Sequence, residues 1–281
     1  MTPTFHLVDV FGDGPFSGNP VAVISGAGSL QTQDMQRIAR WFNLSETTFL
    51  LPPTRSAADY KVRIFTLQTE IPFAGHPTLG TCHAWLAAGG KPTDDDEIVQ
   101  ECGAGLVKIR RSSGRLSFAA PPLIRSGAPT EDELADARRL LRIAPEDVLD
   151  AAWIDNGPGW LGIRLASAEK VLSLDPLRSW PRTIDVGVVG PHAGGGDVAF
   201  ELRAFFTDPH GTIIEDPVTG SLNASVADWL FASGEARADY VAAQGTCLGR
   251  KGRIHVSRDA EGQTWVGGQT RTHVEGQFGG L

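Results

Sequence analysis

A ten-residue segment in the first half of this chain is echoed in the second, and no other feature constrains the fold as much. Gly75-His76-Pro77-Thr78-Leu79-Gly80-Thr81-Cys82-His83-Ala84 matches Glu215-Asp216-Pro217-Val218-Thr219-Gly220-Ser221-Leu222-Asn223-Ala224. In both, a polar residue precedes proline, glycine follows three residues after that proline, and a hydroxyl residue comes next. A strand pattern stands before each copy and a small-residue helix pattern after it. The copies lie 140 residues apart in a chain of 281, half its length. Such a repeat predicts two similar domains of mixed α+β character. Pro121-Pro122 breaks the pattern between them, which places the domains at 1–120 and 121–281, with the last strand free to cross back to the first. Two like domains facing each other form a cleft, a favoured place for a small-molecule site.

The local pattern supports many short strands and few helices. Phe5–Phe11 alternates like a half-buried strand and turns at Gly12-Asp13-Gly14-Pro15. Val21–Ile24 is a second strand. A helix follows with Thr32 as N-cap, Met35, Ile38, Ala39 and Phe42 on one face, and Asn43 as a left-handed C-cap. Strands are expected at Thr47–Leu51 and Lys61–Thr69, the latter with Val62, Ile64 and Leu67 inward. A helix is expected over Pro77–Ala88, closed by Gly89-Gly90, and a hairpin joins Lys108–Arg111 to Arg115–Ala119. In the second half helices fall at Glu131–Ile143 and Ser221–Ala232, the latter stopped by Gly234. Strands fall near 151–154, 161–165, 197–206, 253–256 and 264–267.

The residues that bear chemistry gather around the repeat. Gly80-Thr81 and Gly220-Ser221 read as helix N-termini, where free backbone N–H groups and the helix dipole attract anions. Glu46 is the one acid between Asp34 and Asp59, at the point where a helix gives way to an apolar strand. A carboxylate there is costly unless paired, and a raised pKa suits a general acid/base. The bland alternative is a solvent-facing glutamate. His76 and Asp216 occupy matching places in the two copies. As a pair they tune a proton-transferring group or bind a substrate amine or hydroxyl; singly they read as a hydrogen-bonded histidine and a turn residue.

Other matches fail on context. Gly157-Pro158-Gly159-Trp160-Leu161-Gly162 fits G-x-G-x-x-G, but a strand follows where a dinucleotide site needs a helix. Glu101-Cys102-Gly103-Ala104-Gly105 runs into a strand, Asp94–Glu97 lacks calcium-loop spacing, and no histidines stand at metal-binding spacing. No metal, phosphate loop, nucleotide or other cofactor is expected, which leaves side-chain acid/base chemistry. The 25 basic against 33 acidic residues give a net charge of −8, the wrong sign for a nucleic-acid or anionic-membrane partner. No apolar run is long enough to span a bilayer, and Met1–His6 shows no leader pattern. Three cysteines, Cys82, Cys102 and Cys247, are an odd number that suits a reducing cytoplasm.

At Val8-Asp9-Val10-Phe11, Phe16–Val23, Leu44–Phe49, Arg63–Thr66, Phe73–Gly80, Gly211, Glu215–Ser221 and Gln244-Gly245 the sequence resembles the PhzF family, the phenazine-biosynthesis isomerase-like proteins. The resemblance covers essentially the whole chain. It implies a diaminopimelate epimerase-type fold: two pseudo-duplicated domains, each a barrel-like mixed or antiparallel sheet around a central helix, with the active site in the cleft. It implies Glu46 as the acid/base, with His76 and Asp216 as further catalytic residues. Ser45, Gly75, Gly80, Gly220 and Ser221 are then the substrate-binding residues. It also implies a cofactor-independent cytoplasmic homodimer related to trans-2,3-dihydro-3-hydroxyanthranilate isomerase, acting on a small carboxylate. His76 and Asp216 stand near the places where racemases of this fold carry two cysteines, so a two-thiol mechanism is not expected. Leu67–Pro72 lacks the proline that the family pattern carries after its threonine, which bears on substrate identity. A single-centre epimerase without thiols and a non-catalytic metabolite-binding protein remain the alternative readings.

Overall fold

The computed structural model describes residues 3–279; Met1 and Thr2, part of the segment examined for a leader, lie outside the described residues. Two compact units are present, residues 1–119 with 267–281, and residues 120–266. In chain order the elements are β1 (Thr4–Val10), β2 (Asn19–Ser25), α1 (Thr32–Phe42), β3 (Thr47–Leu51) and β4 (Tyr60–Phe65). There follow β5 (Glu70–Ile71), α2 (Gly75–Ala87), β6 (Glu97–Cys102), β7 (Gly105–Ser112) and β8 (Arg115–Ala119). Next come β9 (Arg125–Gly127), α3 (Glu131–Leu141), β10 (Asp150–Asp155), β11 (Leu161–Arg164), α4 (Ala168–Leu172) and β12 (Asp185–Pro191). The chain ends with β13 (Phe200–Thr207), β14 (Ile213–Asp216), α5 (Gly220–Ser233), β15 (Tyr240–Gln244), β16 (Gly252–Arg258), β17 (Thr264–Gly268) and β18 (Thr270–Gln277).

The first unit's ladder runs β18-β1-β2-β3-β4-β6-β7-β8, antiparallel except at β2–β3 and β4–β6, with β5 on β4. The second runs β9-β10-β11-β12-β13-β15-β16, parallel only at β11–β12 and β13–β15, with β14 on β13. The first six joints follow the same sequence in both. Parallel neighbours need a crossover, and α1, α2, α4 and α5 supply it at the four parallel joints. The fold is therefore α+β and mostly sheet, and the sheet is not closed.

The central helix α2 packs against β1, β2, β3, β8 and β18. Nearly all its first half is buried, from Gly75 to Cys82. α5 is similarly apolar on all sides, with Leu222, Ala224, Val226 and Leu230 buried. A helix without a polar face is stable only when surrounded, which is why each lies inside the curve of its sheet. α1 instead lies outside, burying Met35 and Ala39 with Ile24, Phe49 and Phe65.

Several local expectations shift. Thr32 is the first residue of α1 rather than its cap, and its hydroxyl accepts a hydrogen bond from Arg63. The strand drawn to Thr69 ends at Phe65. There Thr66 Oγ1 accepts from the N–H groups of Gln68 and Thr69, so the chain turns and Leu67 is only half-buried. α2 begins at Gly75, two residues before Pro77, because proline is tolerated in the first helical turn, where its missing N–H costs nothing.

Candidate active site

Glu46 follows the left-handed Asn43 that ends α1 and directly precedes Thr47, fully buried at the start of β3. Its side chain is 17% exposed, and Oε2 lies 3.5 Å from His76 Nε2. The glutamate therefore faces the second residue of α2 rather than open solvent. His76 is buried, its Nδ1 lies 3.4 Å from Asn19 Nδ2, and its Nε2 makes no hydrogen bond. Burial holds the His76 pKa down at about 3, with the Pro20 carbonyl working in the opposite direction. The ring is neutral at physiological pH and adds no positive charge beside Glu46. Ser45 is exposed next to it, and Gly75 is the buried first residue of α2.

α2 is pinned from within. Gln100 on β6 donates to Thr78 Oγ1 and accepts from Tyr60, while Thr81 donates to Thr48 on β3. These buried polar groups are all satisfied, which fixes the helix end against the sheet. Cys82, one turn further along, is no nucleophile: burial pushes its thiol up to about 12.

The second unit builds an equivalent helix end from different side chains. Asp216 ends β14 and accepts a 2.5 Å hydrogen bond from Thr219 Oγ1. Gln244 on β15 takes the role of Gln100: Nε2 donates to Thr219 Oγ1 and to the Asp216 carbonyl, and Oε1 accepts from Thr219 N and Asn223 Nδ2. Gly220 and Ser221 open α5. Ser221 Oγ accepts from Trp160 Nε1 at 3.1 Å, and its carbonyl accepts from Asn156 Nδ2 at 3.0 Å.

Both central helices begin without a side-chain cap and without an acid in the first turn. α3 differs: Thr130 and Glu133 form a full capping box, and Glu131 and Asp132 add two more acids to its first turn. The ends of α2 and α5 thus keep their partial positive charge available to an anion.

Two sequence expectations are corrected here. Gly80 is not at a helix N-terminus but in the second turn of α2, where a Cβ would come within 2.3 Å of Val21 Cγ1. It serves close packing of helix on sheet and cannot hold a carboxylate. Nor are His76 and Asp216 equivalent: the helix starts align Gly75 with Gly220 and His76 with Ser221, while Asp216 precedes its helix. Proline fits both the first turn of a helix and the turn before one, so the shared Pro-x-x-Gly spacing slipped the register. Tyr60, Gln100, Asn156 and Trp160 were not singled out from sequence for any part in the site. The failed dinucleotide motif, which contains Trp160, was the available signal for that residue.

The duplicated α+β arrangement is an epimerase-like fold. A structure described as a predicted epimerase from Pseudomonas aeruginosa superposes with a TM-score of 0.80 at 23% identity, covering 100% of both chains. Sequence is more specific: residues 8–277 match the PhzC-PhzF model, "Phenazine biosynthesis-like protein", and the chain belongs to that family. It is 36% identical to Antisense-enhancing sequence 1 of Schizosaccharomyces pombe over 98% of each chain. It is 32% identical to trans-2,3-dihydro-3-hydroxyanthranilate isomerase of Pseudomonas chlororaphis, over 82% of this chain and 81% of that one. Among the described residues, no helix is long and apolar enough to cross a membrane.

Proposed function

We propose that this chain is a cofactor-independent isomerase that moves a proton on a small carboxylate, cyclic or amino-acid-like, with Glu46 as general acid/base. The pairing of Glu46 with a buried, neutral His76 at the open end of α2 supports this reading most. Glu46 takes a proton from a carbon made acidic by conjugation. The C–H electron pair passes into the conjugated system, and the proton returns to another carbon of that system. Nothing is oxidised or reduced, so the step balances without a co-reactant. Because His76 is neutral, its ring does not repel the proton as it reaches Glu46. Backbone N–H groups at Gly75 and His76 hold the carboxylate and stabilise charge developing toward it, and those at Gly220 and Ser221 form a like helix end in the second unit. Asp216 suits a substrate amine or hydroxyl as acceptor, and Ser45 lines the approach to Glu46. By likeness to the family, the working form is a cytoplasmic homodimer.

The substrate named for the Pseudomonas chlororaphis relative, trans-2,3-dihydro-3-hydroxyanthranilate, is the first compound to try, followed by a panel of small amino and hydroxy acids in deuterated water monitored by NMR. The expected result is isomerisation by the wild type and a loss of about 10²–10⁴-fold in kcat for Glu46→Gln, with binding retained. A variant that turns over at the wild-type rate overturns the mechanism. Inversion at one carbon with ready deuterium uptake favours the epimerase, and binding without any exchange favours a metabolite-binding protein.

A further inference from the structure

We infer that Trp160 is a positioning residue for the α5 end of the site, acting through the hydroxyl of Ser221; this rests on the reading of that helix end as a carboxylate-binding element. An indole N–H only donates, so the 3.1 Å contact has one sense: Trp160 gives the hydrogen and Ser221 Oγ accepts it. With one lone pair committed to the indole, the hydroxyl proton turns away from Trp160. Ser221 is half-buried as the second residue of α5, so that proton is offered to an oxygen bound at the helix end.

The segment that carries Trp160 is built to hold it there. Asp155 Oδ1 accepts from the N–H groups of Gly157 and Gly159 at 2.7 and 3.0 Å. Those glycines lie at φ 141° and 75°, conformations that side chains resist. The Trp160 carbonyl accepts from Ile154 N at 3.0 Å, and the ring is 3% exposed. A second donor from the same segment, Asn156 Nδ2, holds the Ser221 carbonyl. Core packing accounts for burial of the ring. It does not call for two donors directed at the two oxygens of a single residue in the first turn of α5.

Anthranilate is the probe, with binding followed through tryptophan indole N–H signals in heteronuclear NMR, the Trp160 signal assigned by its loss in Trp160→Phe. Trp160→Phe removes the donor and keeps an aromatic ring. Loss of one oriented hydrogen bond weakens binding by about five- to tenfold. Ser221→Ala weakens it similarly and shifts the Trp160 indole signal, and the double variant is no worse than Ser221→Ala alone. A role confined to packing predicts the opposite: Trp160→Phe then weakens Ser221→Ala further by its full single-variant factor, which overturns the inference. Wild-type affinity in Trp160→Phe overturns it equally. Anthranilate and the other small carboxylates all failing to bind the wild type overturns the carboxylate reading itself, and this inference with it.

Discussion

The two units share a plan and differ in how they fill it. In each, an arginine on the fifth strand of the ladder clamps a glutamate in a two-point fork: Arg63 with Glu70 at 2.8 and 2.6 Å, Arg203 with Glu215 at 2.9 and 2.8 Å. Each guanidinium lies over the phenylalanine two residues on, Phe65 or Phe205. Each central helix is anchored by a glutamine from the strand that follows it. The packing volumes are exchanged, however. In the first unit the glycine is on the helix, Gly80 under Val21 and Val10. In the second the glycines are on the strands: Gly187 under Leu222, and Gly162 under Ile154 and Trp229. The residue after the first helical glycine also differs, His76 in one and Ser221 in the other. Strand order and the buried polar anchors survived duplication, while the choice of which partner carries the bulk, and the chemistry at the helix end, was free to diverge.

The sharpest way to break this comparison is pH, because each unit carries a group that burial shifts, and the two shifts are in opposite senses. His76 is held down at about 3 by burial, so between about 6.5 and 3 the unfolded chain binds the extra proton and stability falls on acidification. Asp185, at the start of β12, is pushed up to about 7, first by burial and then by the charge of Asp155. Between about 4 and 7 the folded chain binds that proton more tightly, so stability falls as pH rises. Each group contributes up to about 1.4 kcal/mol per pH unit. From about pH 4 to 6.5 the two slopes oppose and nearly cancel. Urea unfolding followed across that window should therefore be flat for these two groups in the wild type, fall with rising pH in His76→Asn, and fall with acidification in Asp185→Asn. Unchanged slopes in both variants would remove the electrostatic contrast between the units.

Smaller in size is the packing contrast. Gly80→Ala forces a Cβ to within 2.3 Å of Val21 Cγ1, a branched side chain with little rotamer freedom on a buried strand. Gly187→Ala meets Leu222 Cδ1 at 2.1 Å, the far end of a longer side chain that can swing aside. Overpacking costs about 3 kcal/mol in the first case and about 1 kcal/mol in the second. Val21→Ala should recover part of the Gly80→Ala loss, measured as coupling in a double-mutant cycle by thermal or urea unfolding. Equal losses at both glycines would mean that the exchange of bulk between helix and strand has no energetic meaning.

Where the sequence was legible, one period or one turn residue dominated. β3 alternates little, but its apolar run is bounded by Glu46 and Pro52, and its limits at Thr47 and Leu51 were read directly. Asn43 ends α1 at φ 54°, as its side chain favours. Glu46 stood out by isolation, the one acid between Asp34 and Asp59. Less legible were β12, Asp-Val-Gly-Val-Val-Gly-Pro, and β15, Tyr-Val-Ala-Ala-Gln, both absent from the sequence reading. Strands covered on both faces show no alternation, and glycine and alanine blur their ends. The start of α2 was hidden by Pro77, and the parts played by Gln100, Gln244 and Trp160 depend on contacts across long stretches of chain that no local pattern announces.

The smallest effect separates helices built for stability from helices left open. Thr130→Ala removes the capping box of α3 and should cost about 1 kcal/mol, with no effect on ligand binding. Ala74, the N-cap of α2, lies at φ −152° and ψ 144°, a backbone conformation that a capping side chain adopts without strain. Ala74→Asp should therefore gain about 0.5–1 kcal/mol from a new cap and a favourable charge at the dipole. If the open helix end receives a carboxylate, the same substitution fills it with one of the protein's own and repels another, so affinity for small carboxylates must fall as the melting temperature rises. A gain in stability without loss of binding would place the ligand elsewhere. A loss of both would mean that the bare end of α2 is held open by packing rather than for a guest, and stability withheld at a helix terminus would lose its functional reason.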